Sequence, residues 1–210
     1  DREIIFFNAE NGVWDWNISA VKNVNYSDNV IDILVANQNR LETSTQEILQ
    51  LAACIGATFD LRTLSAIRKT GMDETNALLL DALKSNMVVP VDDSYKYVSQ
   101  GHRQGEQPGG QEVNPYYRFQ HDRIQQAAYS RIDAEQKKVY HLEIGRLMLG
   151  DKTPGELDEK LMDVVRHFNE GRDLLTDKDE RRILARLNLA AGIKAKQSSA
   201  YDAALDFLKT

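Results

Sequence analysis

The side chains best suited to chemistry in this 210-residue chain are four histidines and one cysteine. His121 and Asp122 stand side by side, directly after the alternating stretch Tyr117-Arg118-Phe119. A neighbouring imidazole and carboxylate can begin a metal site, but such a site needs further ligands from adjoining helices. They can equally cap a helix at a strand-to-helix junction, where an acid in the first turn is favoured by the helix dipole. His102 sits in a Gly/Gln-rich stretch, and His141 and His167 fall in helical stretches as surface or interface histidines. No His-Glu-x-x-His spacing is present. Cys54 lies in the apolar run Leu51-Ala52-Ala53-Cys54-Ile55 and reads as a small buried residue. Nothing local to it supplies the His or helix N-terminus that would activate a thiol.

The elements that must position these residues follow from periodicity and punctuation. Ile5-Phe6-Phe7 and Val13-Trp14-Asp15-Trp16 flank an Asn11-Gly12 turn signal and predict a β-hairpin, with the tryptophans on one face. Asp28 predicts a helix start ahead of Val30, Ile31 and Leu34. Thr43 with Gln46 matches a capping box for a helix carrying Ile48, Leu51, Ala52 and Ile55, stopped at Gly56. Asp60 and Asp73 predict the next helix starts. Met87–Val91 and Tyr95–Val98 read as short strands, residues 99–114 as a flexible loop, and Tyr117-Arg118-Phe119 as a third strand. From His121 onward the pattern is all helical, with spans at 121–131, 134–149, 156–170, 179–197 and 199–209. The fold class predicted is mainly α. A hairpin-and-helix segment spans 1–42, a winged-helix domain with a small β-ribbon spans 43–132, and the first helices of a repeat-like array span 133–210.

Composition bounds the function. Hydrophobic residues make up 42% and charged residues 28%, which suits a core with a wet surface. There is no apolar run of about 18 residues, so no membrane span is expected. The start is charged and only briefly apolar, unlike a secretory signal, and it is Asp rather than Met, as in a segment of a longer protein. A single cysteine excludes an internal disulfide and fits a reducing, cytoplasmic setting. The net charge of −6 argues against a nucleic-acid partner. Neither a Gly-x-x-x-x-Gly-Lys-Ser/Thr loop nor a kinase signature nor a Gly-x-Ser-x-Gly elbow occurs, so no enzyme activity is expected of these residues.

Several stretches resemble one family. They are Asp28-Asn29-Val30-Ile31-Asp32, then Thr45 through Leu61, and Tyr117-Arg118-Phe119-Gln120-His121-Asp122-Arg123-Ile124-Gln125-Gln126-Ala127-Ala128-Tyr129, with Ala190 through Lys196 and Ser199-Ala200-Tyr201. They are similar to the segment just after the nucleotide-binding core of bacterial multidomain signalling proteins. Those proteins join a Ser/Thr kinase-like domain, a STAND-type AAA ATPase, a GAF domain and a sensor histidine kinase. The resemblance implies a winged helix that closes over a nucleotide bound by an upstream domain of the same chain. In related ATPases the His of a Met-His-Asp motif contacts the β-phosphate of ADP. Gln120-His121-Asp122 resembles that motif, with Gln in place of Met, so His121 takes the implied nucleotide-sensing role and Asp122 the orienting one. An imidazole N–H donates well to a phosphate, and a helix N-terminus favours anions. No cofactor is implied for this segment itself, with ADP or ATP bound by the parent protein.

The last helices also resemble the start of a tetratricopeptide array. Gly192, Ala204 and Leu208 fall at the small, small and large packing positions of that roughly 34-residue repeat. Such an array implies docking of other signalling proteins. Two other readings stand beside this one. A DNA-binding winged helix would read with residues 73–85, yet these hold Asp73, Glu74 and Asp81 against Lys84 alone. A His-Asp metal phosphohydrolase would need ligands beyond His121 and Asp122.

Overall fold

A computed structural model describes residues 5–8, 13–16, 36, 38–99, 113–150 and 154–209. Ile5–Asn8 (β1) and Val13–Trp16 (β2) form the expected hairpin, with Ile5 opposite Trp16 and Asn8 opposite Val13. Its turn, the helix expected after Asp28, and the loop with His102 lie outside the described residues.

The next unit is built on helix α1, Thr43–Ile55, whose apolar spacing buries Ile48, Leu49, Ala52 and Cys54 almost completely. The capping box is not formed. Thr43 is already inside the helix, Glu42 takes the N-cap without a side-chain bond, and Gln46 Nε2 turns back to donate to Leu41 O at 2.8 Å. Gly56 caps the far end as expected. Strand β3, Thr58–Asp60, follows and leads into α2, Leu61–Arg68. Asp60 opens α2 by accepting from Thr63 N at 2.9 Å and Thr63 Oγ1 at 2.8 Å. Helix α3, Met72–Lys84, starts at Gly71 rather than Asp73, which places Asp73 and Glu74 in its first turn.

Strand β4 is Val88–Pro90 and strand β5 is Tyr116–Phe119. The strand expected at Tyr95–Val98 is instead a short helix, α4, Tyr95–Ser99. The Asp92 carboxylate accepts from Ser94 N at 2.9 Å, and Lys96 N and Tyr97 N then bond back to Asp93 and Ser94, so the chain coils where its alternation reads as extended. The sheet is antiparallel in the order β3-β5-β4, with Phe59 opposite Tyr117 and Val88 opposite Phe119. On central β5, Tyr117 and Phe119 are buried and Tyr116 and Arg118 exposed. Phe59 lies 5.9 Å from the Tyr117 ring and 5.7 Å from that of Phe119, and Tyr117 donates to Asn76 Oδ1 on α3 at 2.9 Å.

After α5, Asp122–Ser130, the helices are α6, Ala134–Leu149, α7, Pro154–Glu170, a 3-10 turn at Arg172–Leu174, α8, Lys178–Gln197, and α9, Tyr201–Lys209. Asp133 caps α6 as predicted, accepting from Glu135 N and Gln136 N. Helices α6 and α7 approach closely because Gly145 faces the Phe168 ring, where an added Cβ would come to 2.9 Å. Asn169 and Asn188 join α7 to α8 through two reciprocal amide bonds of 2.9 Å. Gly192, Ala204 and Leu208 meet where α8 crosses α9; a Cβ on Gly192 would lie 3.0 Å from Leu208 Cγ.

Two apolar cores result. One gathers α1–α5 and the sheet around Ile48, Leu61, Leu64, Leu79 and Tyr117. The other gathers α6–α8 around Leu142, Val164, Val165, Phe168 and Leu187. Each fully buried Leu here contributes roughly 1.5–3 kcal/mol of transfer free energy. Helix α6 serves both, with Ile144 in the first core, Leu142 in the second and Met148 against each. Among the described residues no helix is long and apolar enough to cross a membrane.

Candidate functional site

His121 and Asp122 lie where β5 turns into α5. Gln120 N bonds to Met87 O at 3.0 Å, so the turn is anchored to the end of β4. His121 has extended backbone and is the N-cap residue, while its carbonyl accepts from Ile124 N at 3.0 Å. Ile124, buried beneath, holds the first turn on the body. Both polar side chains remain outside, 56% exposed for His121 and 67% for Asp122.

The local bonds allow two protonation patterns. Arg123 N is 3.1 Å from His121 Nδ1 and 2.8 Å from Asp122 Oδ1, and those two acceptor atoms are 2.6 Å apart. If Nδ1 is bare it accepts from Arg123 N–H, and the neutral ring carries its proton on Nε2. If Nδ1 is protonated it donates to Asp122, and Arg123 N–H is left to the same carboxylate. The first pattern offers Nε2–H as a donor from a neutral ring; the second offers it only from the imidazolium. Either way the helix start is capped by side chains, and Nε2 has no partner among the described residues.

His141 and His167 are not surface residues. They are 3% and 0% exposed and lie together where α6 meets α7. His141 Nδ1 is 2.8 Å from His167 Nδ1, and Tyr129 Oη on α5 is 2.9 Å from His141 Nε2. Arg166 Nη2 lies 3.3 Å from His167 Nε2. Burial holds both imidazoles below the ordinary histidine range, His167 down to about 3, with the Arg166 charge pushing the same way. Cys54 is buried as expected, and burial pushes its thiol up to about 12. Among the described residues no three His, Cys, Asp or Glu side chains converge as metal ligands.

A cleft of about 390 Å³ separates the sheet edge from α6 and α7, lined by Phe59, Asp60, Tyr116, Lys160, Asp163 and Arg166. Its mixed charge gives no preference for an anion, and His121 is not in its wall. On α3, Asp73, Glu74 and Asp81 are exposed, and Lys84 is bound to Asp81 at 3.0 Å.

The chain is similar to part of a histidine kinase. It is 25% identical over 233 residues to Hybrid signal transduction histidine kinase G of Dictyostelium discoideum, an alignment that takes in 96% of this chain. The chain spans about 7% of the length of that relative. No protein-family model and no solved structure matches it.

Sequence reasoning named His121 and Asp122, and the structure sets them together at an exposed helix start. It did not pair His141 with His167 or assign Tyr129 to them. The available signal was local: both histidines sit among buried helix positions, beside Leu142 and Ile144 on α6 and Val164, Val165 and Phe168 on α7.

Proposed function

We propose that this chain is a non-catalytic regulatory segment of a signal-transducing ATPase–histidine kinase, coupling nucleotide state to output through domain contacts. The observation that carries the reading is similarity along 96% of the chain to a signal transduction histidine kinase. Residues 43–132 act as a winged helix. What supports this is the order α1-β3-α2-α3-β4-α4-β5 with the β3-β5-β4 sheet, in which the first strand falls between the first two helices. Residues 133–210 act as the opening of a tetratricopeptide-like array, supported by the Gly192–Ala204–Leu208 contact.

In the parent protein, bound ADP lies on an upstream domain of the same chain, and His121 reaches its β-phosphate through Nε2–H. The capping bond from Arg123 N to Nδ1 favours the tautomer with that proton. When Nδ1 is protonated instead, it donates to Asp122, which steadies the ring as an imidazolium that keeps Nε2–H, and the start of α5 adds partial positive charge. The array offers other signalling proteins an apolar strip on α8 and α9, where Leu189, Ile193, Tyr201 and Leu205 are half or more exposed. The test is to purify the parent protein intact and as His121→Ala and to measure ADP retained per chain. Loss of ADP with unchanged circular dichroism is the expected result; equal retention reduces His121 to a helix cap.

A further inference from the structure

The contact between the two cores runs through polar atoms as well as through α6. Tyr129 comes from the first unit, His141 from the shared helix, and His167 from the second unit, linked by bonds of 2.9 and 2.8 Å. The Tyr129 and His141 rings meet edge-on at 5.8 Å, and the two imidazole centroids are 5.0 Å apart. On its other side His167 Nε2 lies 3.3 Å from Arg166 Nη2. The chain of bonds therefore ties α5, α6 and α7 together at one buried point.

Proton counting limits this arrangement. Two nitrogens 2.8 Å apart need one hydrogen between them. With both rings neutral the chain closes when Arg166 donates to His167 Nε2, His167 Nδ1–H donates to His141 Nδ1, and His141 Nε2–H donates to the Tyr129 oxygen. One added proton keeps the bond between the two Nδ1 atoms but sets an N–H of His167 against Arg166, at the cost of a buried charge. A second places two N–H groups and two positive charges head to head, and the pair must separate.

We propose that Tyr129, His141 and His167 form an acid-released latch, which holds α7 against α6, and through Tyr129 to the α1–α5 unit, at neutral pH and lets α7 loosen from α6 as both imidazoles take up protons. This does not depend on the role of His121.

The charged and titratable neighbours agree with the direction. Arg166 on α7 and Lys137 on α6 oppose protonation of His141, and Glu170 on α7 favours it. Arg166 also opposes protonation of His167. From α1 the nearby group is the protonated Cys54 thiol, and from α5 it is the Tyr129 hydroxyl, whose ionisation burial pushes up. Lys69 of α2, Asp173 of the 3-10 turn and Glu180 of α8 each reach α6 but are taken by Glu143, Lys138 and Arg146. Both imidazoles are held below their ordinary value, so the closed form binds fewer protons than the open one. Its stability is complete above a pH of about 6.5 and is lost as pH falls from there.

Hydrogen exchange on the intact 210-residue chain at pH 7 and pH 5, corrected for intrinsic rates, reads this directly. Amides of α7 should lose protection by up to about 25-fold for each imidazole freed to titrate at its ordinary value, while those of α3 hold theirs. Equal α7 protection at both pH values, or loss in step with α3, overturns the latch. The variant His141→Gln/His167→Leu should show no such pH dependence, and retention of it also overturns the proposal. If that variant does not fold, histidine ¹⁵N shifts of the unaltered chain decide. Protonation of both rings should coincide with loss of α7 protection, and protonation without that loss refutes the latch.

Discussion

The exposed pair His121–Asp122 and the buried pair His141–His167 use the same ring for opposite ends. At the start of α5 the imidazole is half in water and bonded only to its own turn, so its free nitrogen is available to a ligand. Between α6 and α7 both rings are closed off, and the bonds from His141 to Tyr129 and to His167 join separate elements. A histidine near a helix N-terminus tells of possible contacts with an anion, whereas one at a packed crossing tells of cohesion. Burial and the reach of the partner decide which, more than residue type does.

Substitutions sharpen the contrast. His167→Ala should cost the most, about 2–4 kcal/mol in urea unfolding, because it opens a cavity and strands His141 Nδ1. The acid response comes next. Lowering pH below about 6.5 should reduce stability by up to about 1.4 kcal/mol per pH unit for each buried imidazole. The sign follows from folded values lying below the ordinary one, as with His167 near 3. Tyr129→Phe removes only the hydroxyl on His141 and should cost about 1–2 kcal/mol with the fold intact by circular dichroism. His121→Ala should cost least, about 0.5–1 kcal/mol for a lost cap, read from the thermal midpoint.

Much of this frame is legible in the residues. Asp133 and the 134–149 pattern give α6 to the residue, and Asn-Gly gives the pairing of β1 with β2. Strand β3 is not legible, since three residues between Gly56 and the Asp60 cap are too few to show alternation. It exists because β5 offers Thr58–Asp60 a partner. Tyr95–Val98 misleads in the other direction, as a side-chain bond from Asp92 to Ser94 N overrides the strand pattern. At the exposed site, adjacency alone reveals His121 and Asp122. The buried pair stands 26 residues apart in sequence, and its meeting depends on how closely α6 and α7 pack, which Gly145 and Gly171 permit.

Nucleotide sensing by this segment requires His121 to meet a nucleotide held elsewhere in the parent protein. ADP retained by purified parent protein should be measured in three forms, unaltered, His121→Ala and Tyr129→Phe. Loss of ADP in His121→Ala alone, with Tyr129→Phe matching the unaltered protein, is the predicted result. Equal ADP in all three would contradict the nucleotide-sensing role.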